Sequence, residues 1–268
     1  MKIAFVGGGV MAEALLSAAL AKGVTTQREV AIGEPVEERR RQLSQQYGVA
    51  ASASNIQACA AAEMIVLSVK PQHLGPVLQE LRGSVRSAQV VLSIVAGAPV
   101  QKLTQGLNHQ AVVRVMPNTP AQVGAGMSVW TTTPQVTQQQ REAAQAFIRS
   151  FGEEIYVADE KYLDMATALS ASGPAFVFKF LESLVDAGVH IGLPRDMAQT
   201  LAYQTVAGSV ELARKTGKHP AELKNLVSSP GGTTVEGLLE LERGRLAATV
   251  TNAVIAAFEK SKKLADAS

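Results

Sequence analysis

Cysteine is almost missing from this chain: its 268 residues contain one, Cys59. A single thiol closes no internal disulfide and builds no thiolate metal site, and it fits a reducing compartment, so a cytoplasmic location is expected. Aromatic side chains make up only 4% of the residues, too few for a base-stacking platform. Charge is scarce as well. Charged residues are 18% of the chain, and 25 Lys and Arg against 23 Asp and Glu leave a formal charge of +2. The one basic run, Arg39-Arg40-Arg41, is too short for a nucleic-acid footprint, so no nucleic-acid partner is expected. Uninterrupted apolar runs stay short of the roughly 18 residues a membrane span needs, and no membrane partner is expected. The opening run from Met1 to Val6 meets glycine at once, too early for the apolar core of a signal peptide. The four histidines, His73, His109, His190 and His219, lie far apart without ligand or triad spacing, and no metal is expected.

Apolar residues, by contrast, are abundant at 47%. That composition excludes disorder, and the length suits roughly two domains. Short runs rich in Val and Ile recur at 3–6, 30–32, 64–69, 90–95 and 112–116. They lack polar alternation, as strands covered on both faces of a parallel sheet do. Helical patterns fill the gaps at 11–22, 35–47, 54–61, 71–81 and 99–104. Alternating strand and helix implies right-handed crossovers and a doubly wound α/β sheet. The more polar 124–133 run reads as an edge strand. A helix over about 134–150 follows, with Pro134 placed to start it, and 155–157 reads as a last short strand. Beyond Asp159 no strand pattern is evident. The expected division is a Rossmann-type domain over 1–158 and an all-helical dimerisation and substrate domain over 159–268.

The 175–189 segment motivates the dimer. Its polar side chains, Lys179, Glu182, Ser183 and Asp186, form one narrow helical stripe. Phe176, Phe178, Phe180, Leu181, Leu184 and Val185 occupy the rest of the circumference. A helix that is apolar on most sides is buried on most sides. A helical region of about 110 residues is small for that task. Cover by a second copy is favoured over cover by the first domain, which predicts a homodimer or a multiple of dimers.

Gly7, Gly9 and Ala12 form G-x-G-x-x-A between the first strand and the first helix. Gly7 permits the tight turn, Gly9 lets a pyrophosphate approach the backbone, and Ala12 lets helix and strand pack closely. With Gly8, Val10 and Met11 they place the N–H groups of a helix N-terminus at the phosphates. After the second strand, Glu34 is placed to accept hydrogen bonds from both adenosine ribose hydroxyls, which favours NAD. Arg39, Arg40 and Arg41 lie nearby and fit a 2′-phosphate or a solvated helix face equally well, so local chemistry leaves NADPH against NADH open. Asn55 is placed either to cap its helix or to touch the adenosine. Ser68, Val69, Lys70, Pro71, Ala96, Gly97 and Asn118 follow the later strands, where open α/β sheets bind ligands; ordinary turn chemistry accounts for them as well.

Five segments together resemble the pyrroline-5-carboxylate reductase family: Phe5-Val6-Gly7-Gly8-Gly9-Val10-Met11-Ala12, Val69-Lys70-Pro71, Arg114-Val115-Met116-Pro117-Asn118-Thr119-Pro120, Ser172-Gly173-Pro174-Ala175, and Val227-Ser228-Ser229-Pro230-Gly231-Gly232-Thr233-Thr234. Val10 stands where the family often has Asn, Ala171 where Gly is usual, and Glu34 departs from a typical NADP site. The resemblance implies reduction of the C=N bond of 1-pyrroline-5-carboxylate to L-proline, usually with NADPH, in a dimer that shares its active site. It implies that Thr234 hydrogen-bonds the ring nitrogen, and that Glu160, Ser229, Gly231, Gly232 and Thr233 line the substrate. From spacing alone, 228–234 is an anion-binding nest or a plain helix-entry turn with a threonine cap. Two other readings stay open at this point: another dinucleotide-dependent dehydrogenase with a helical dimer domain, and a dinucleotide-sensing protein without turnover.

Overall fold

A computed structural model describes residues 1–266, which form two compact units, Met1–Ser172 with the chain from Ala257 onward, and Gly173–Ala256. The first unit carries one sheet. Its strands are β1 (Ile3–Val6), β2 (Val30–Gly33), β3 (Ala50–Ser52), β4 (Met64–Leu67), β5 (Val90–Ser93), β6 (Val112–Met116), β7 (Gly126–Thr132) and β8 (Gly152–Tyr156). Their spatial order is β3-β2-β1-β4-β5-β6-β7-β8. β1 to β6 are parallel, with Ile3 beside Val30 on one side and Met64 on the other. The strand order reverses between β1 and β4, the switch point where doubly wound sheets bind dinucleotides.

The helices of this unit are α1 (Val10–Ala21), α2 (Glu37–Tyr47), α3 (Asn55–Cys59), α4 (Leu74–Leu81), α5 (Val100–Leu107), α6 (Gln138–Arg149) and α7 (Lys161–Ala166). They cover both faces. Phe5, Leu15, Leu16, Val113, Phe147 and Phe151 pack one core, and Val6, Ile65, Leu67, Leu78, Leu103 and Val112 pack the other. Adjacent strand residues supply both cores, which is why these runs show no polar alternation.

Three points differ from the expected elements. β3 escaped notice because Ala50-Ala51-Ser52 lacks the β-branched residues that mark a strand. β7 is an interior strand, paired with both β6 and β8. It runs antiparallel to β6 because a short 3₁₀ turn at Thr119–Val123 reverses the chain, with no helical crossover to carry it back. Pro134 does not start α6: Thr137 caps it, accepting from the Gln140 N–H at 3.2 Å while Gln140 accepts from the Thr137 N–H at 3.0 Å. The compact first unit runs on to Ser172 because α7 is tied to β6 through Arg114. Residues 267–268 of the expected second domain lie outside the described residues.

The second unit contains α8 (Gly173–His190), α9 (Arg195–Thr216), α10 (Pro220–Leu226), α11 (Thr233–Arg243) and the first half of α12 (Leu246–Asp266). Its buried core is small: Val185, Ala198 and Ala202, with Val189 and Leu193 against them. A Cβ on Gly188 would meet that of Ala198 at 2.9 Å, so glycine lets α8 and α9 approach closely. Most apolar side chains of α8 stay uncovered; Phe178 is 61% exposed. The helical run Lys161–His190 contains an 18-residue stretch of mean hydropathy 1.2 and is, by length and composition, long and apolar enough to cross a membrane. No unbroken apolar run marks it in the sequence, because Lys179, Glu182 and Asp186 interrupt it while sharing one stripe of the helix.

Candidate active site

The glycine turn sits at the carboxyl end of β1. Gly7 adopts φ +96°, and its N–H donates to the Gly33 carbonyl at 2.8 Å. A Cβ there would lie 3.0 Å from Val69 Cγ1 and 3.1 Å from the Ser68 carbonyl oxygen, so the turn and the β4 connection leave room only for glycine. Gly9 differs. It caps α1 in ordinary extended backbone, and a Cβ on it would meet nothing within 4 Å. The space before the first N–H groups of α1 is open, which is the shape a pyrophosphate needs.

Glu34 and Arg39 brace the turn from behind. Glu34 is 9% exposed; its Oε2 accepts the Gly8 N–H at 2.8 Å and its Oε1 the Val36 N–H at 3.0 Å. Both oxygens are thus engaged by backbone, where the sequence suggested a ribose acceptor. Arg39 donates from Nε to the Gly8 carbonyl at 2.6 Å and from Nη2 to Glu13. Burial pushes the Glu13 carboxyl up, but the hydrogen bonds from Arg39 and Tyr47 outweigh it and hold the group below the usual carboxylate range. The arginine run is not one solvated face. Only Arg41 makes an exposed pair, with Glu37 at 2.9 Å. Arg40 uses Nη1 on the carbonyls of Glu34 at 2.8 Å and Pro35 at 2.7 Å, which anchors its guanidinium at the end of β2.

Other expected cofactor residues gather at the same strand ends. Ser68 donates its hydroxyl to the Gly7 carbonyl at 2.9 Å, so it holds the turn. Lys70 is exposed and precedes the 3₁₀ turn opened by Pro71. Ser54, not Asn55, caps α3, accepting from the Gln57 N–H at 3.2 Å. The Asn55 amide donates to Glu80 at 2.7 Å, and its Oδ1 lies where a Cβ on Gly33 would go. Gly97, at φ +67°, and Ala96 lie in the connection after β5. Asn118, after β6, accepts the Met127 N–H at 2.8 Å and donates to Ser170 at 3.3 Å, inside the π-helical turn Thr167–Ala171.

Glu160 precedes α7, and its Oε1 accepts from Arg114 at 2.7 Å and from the Val100 N–H at 2.7 Å. Arg114 also donates to Asp164 at 3.0 Å. Sequence reasoning passed over Arg114 and Asp164, although a lone arginine in an apolar strand signals a buried charge that needs partners.

The 228–234 turn lies in the second unit. Gly231 takes φ +69°, and the Gly232 N–H donates to the Ser229 carbonyl at 3.0 Å. Gly232 is the cap residue of α11 and supplies no side chain, so the threonine cap expected from spacing is not used. Thr233 and Thr234 open the helix, exposed, and their hydroxyls have no hydrogen-bond partner among the described residues. The same residues contain no group of three or more metal-ligating side chains.

A Gly-rich turn at the switch point of a doubly wound sheet, with a helical region after it, is the geometry of a dinucleotide-binding protein. Residues 2–97 match the model for NADP oxidoreductase, coenzyme F420-dependent. Residues 160–264 match the model for pyrroline-5-carboxylate reductase dimerisation. The pyrroline-5-carboxylate reductase of Synechocystis is 41% identical over 264 residues, 98% of each chain. That of Arabidopsis thaliana is 37% identical over 98% of this chain and 95% of its own. The crystal structure of the Plasmodium falciparum pyrroline carboxylate reductase with NADP bound superposes with a TM-score of 0.91 at 33% identity, covering 99% of this chain and 98% of that one. The chain belongs to the pyrroline-5-carboxylate reductase family.

Proposed function

We propose that the chain reduces the C=N bond of 1-pyrroline-5-carboxylate to L-proline with NADPH, the last step of proline biosynthesis, and accepts NADH less well. The full-length likeness to reductases of that name carries this reading. The open space at Gly9 supports cofactor placement. Gly7, Gly8, Gly9, Val10, Met11 and Ala12 receive the pyrophosphate at the N-terminus of α1. Glu34 and Ser68 hold that turn. Asn55 and Arg40 face the adenosine end, where Arg40 favours a 2′-phosphate. Val69, Lys70, Pro71, Ala96, Gly97 and Asn118 border the nicotinamide half.

When bound, the nicotinamide supplies a hydride to the imine carbon. The protein's part is orientation, worth about 7–11 kcal/mol of barrier in favourable cases. The N–H groups of Gly231 and Thr233 with the Ser229 hydroxyl hold the substrate carboxylate in a nest, and Gly232 shapes it by closing the turn on the Ser229 carbonyl. Thr234 holds the ring nitrogen by its hydroxyl, and the likeness to the family assigns Glu160 to substrate binding as well. The domain reading follows: 1–158 binds the dinucleotide, and 159–268 carries the substrate turn and the dimer surface. A second copy covers the apolar circumference of α8, giving a homodimer or a multiple of dimers. The dimerisation-model match and the exposure of Phe178 support that cover over a lipid one. The single buried Cys59, whose thiol burial pushes up to about 12, suits a cytoplasmic setting.

The test is oxidation of NADPH and NADH, side by side, on adding the cyclic imine. Both are expected to react, with a modest NADPH preference. A preference for NADH above about 100-fold, or about 2.7 kcal/mol, overturns the cofactor assignment. No oxidation with either overturns the function.

A further inference from the structure

Arg114 is the one charged side chain on β1 to β6. It sits opposite Ser93 in the β5–β6 register, and its side chain is only 4% exposed. A guanidinium so buried persists only if its donors are met. Two carboxylates meet it in a fork, Glu160 at 2.7 Å and Asp164 at 3.0 Å.

One oxygen does double duty. Glu160 Oε1 accepts from Arg114 and also from the Val100 N–H, each at 2.7 Å. Val100 is the first residue of α5. The connection from β5 to α5, residues 94–99, is therefore anchored at its far end by a carboxylate that Arg114 holds in place. At its near end the Ile94 N–H donates to the Leu67 carbonyl at 3.0 Å, and between the two anchors Gly97 turns through φ +67°. This connection lies at the carboxyl end of the β4–β6 half of the sheet. In a doubly wound dinucleotide fold that half faces the second mononucleotide, opposite the glycine turn.

We infer that Arg114 is a positioning residue for hydride transfer: through Glu160 it fixes the backbone of residues 94–100 against the nicotinamide half of the cofactor. The inference rests on the reductase reading above. The arrangement makes the distance between donor and acceptor carbons depend on a side chain that touches neither ligand. A displacement of about 1 Å in such a contact lowers a rate by about 100-fold.

Val100→Pro tests this directly, since it deletes the one N–H that ties α5 to Glu160. The helix tolerates the change. Proline is favoured at a first helical position, and Pro99, at φ −60° and ψ 151°, already has the extended backbone required before proline. Without cofactor, hydrogen exchange of the 94–100 peptide should become faster. With NADPH and the imine, kcat should fall about 10- to 100-fold. The KM for NADPH should stay within about threefold, because the pyrophosphate contacts are untouched. The primary isotope effect from NADPH deuterated at C4 should rise, which loss of folded protein alone would not cause. Arg114→Lys keeps the charge but not the fork and should shift the same readouts the same way; it decides the matter if Val100→Pro does not fold. Wild-type exchange, kcat and isotope effect in a folded variant overturn the inference. A wild-type protein without turnover overturns the reductase reading itself, and this inference with it.

Discussion

Gly9→Ala separates cofactor binding from folding better than any other single change in the glycine turn. At Gly7 a methyl group meets Val69 and Ser68 and inherits a positive φ, so a loss of binding there is mixed with strain. At Gly9 the backbone is at φ −68° and ψ 179°, and the added Cβ meets nothing within 4 Å. The folded chain loses only the preference for glycine over alanine at a helix cap, about 1 kcal/mol. In a chain of this size that lowers Tm by about 2–4 °C. The methyl group does, however, project into the space before α1. A pyrophosphate seated there must move, and overpacking by one methyl costs about 1–3 kcal/mol. That is about 5- to 150-fold in the Kd for NADPH. Titration of NADPH by fluorescence, beside a thermal melt, reads both quantities. An unchanged Kd in the folded variant would refute the placement of the pyrophosphate at the N-terminus of α1.

Thr234→Ala should lower kcat/KM for the imine by about 10- to 1,000-fold, the cost of losing a hydrogen bond to a charged ring nitrogen that is left unpaired, and leave NADPH titration unchanged; lost NADPH affinity would mean that the turn serves the other ligand. Arg40→Ala should weaken NADPH and spare NADH, reducing the ratio of their specificity constants by about tenfold or more, consistent with one lost charge-assisted contact; an unchanged ratio removes Arg40 from the site. Leu181→Asp, on the apolar circumference of α8, should abolish the soluble dimer in sedimentation. Glu182→Lys, on an exposed stripe where Glu182 pairs with Lys179, should do much less, and a fully active monomer at nanomolar concentration would reject the shared interface.

The parts of the fold that read clearly are those fixed by local pattern. β1, the glycine turn and α1 are legible because unbroken apolar residues, then Gly7 and Gly9, then a mostly apolar helix leave few alternatives. β3 was hidden because its three small residues carry no strand signal, and the direction of β7 depends on a turn whose reversal no periodicity encodes. A Thr137 cap in place of Pro134 moves the start of α6 by four residues, whereas α3, capped by Ser54, begins one residue from its expected start. At Glu34 the sequence shows the carboxylate but not its partners. Its type and position suit a ribose, but its oxygens are taken by N–H groups of Gly8 and Val36, one of them distant in sequence. Arg114, Glu160 and Asp164 are likewise joined across long stretches of chain. Pairings of that kind appear only once the sheet order is known.

The central claim, hydride transfer to an imine carbon, is tested most directly by following the transferred atom. NADPH carrying deuterium in both C4 positions is incubated with the protein and 1-pyrroline-5-carboxylate, and the product is examined by mass spectrometry and proton NMR. The account predicts L-proline heavier by one deuterium, located on the ring carbon that was double-bonded to nitrogen. Proline without deuterium, or NADPH consumed with no proline formed, would contradict it.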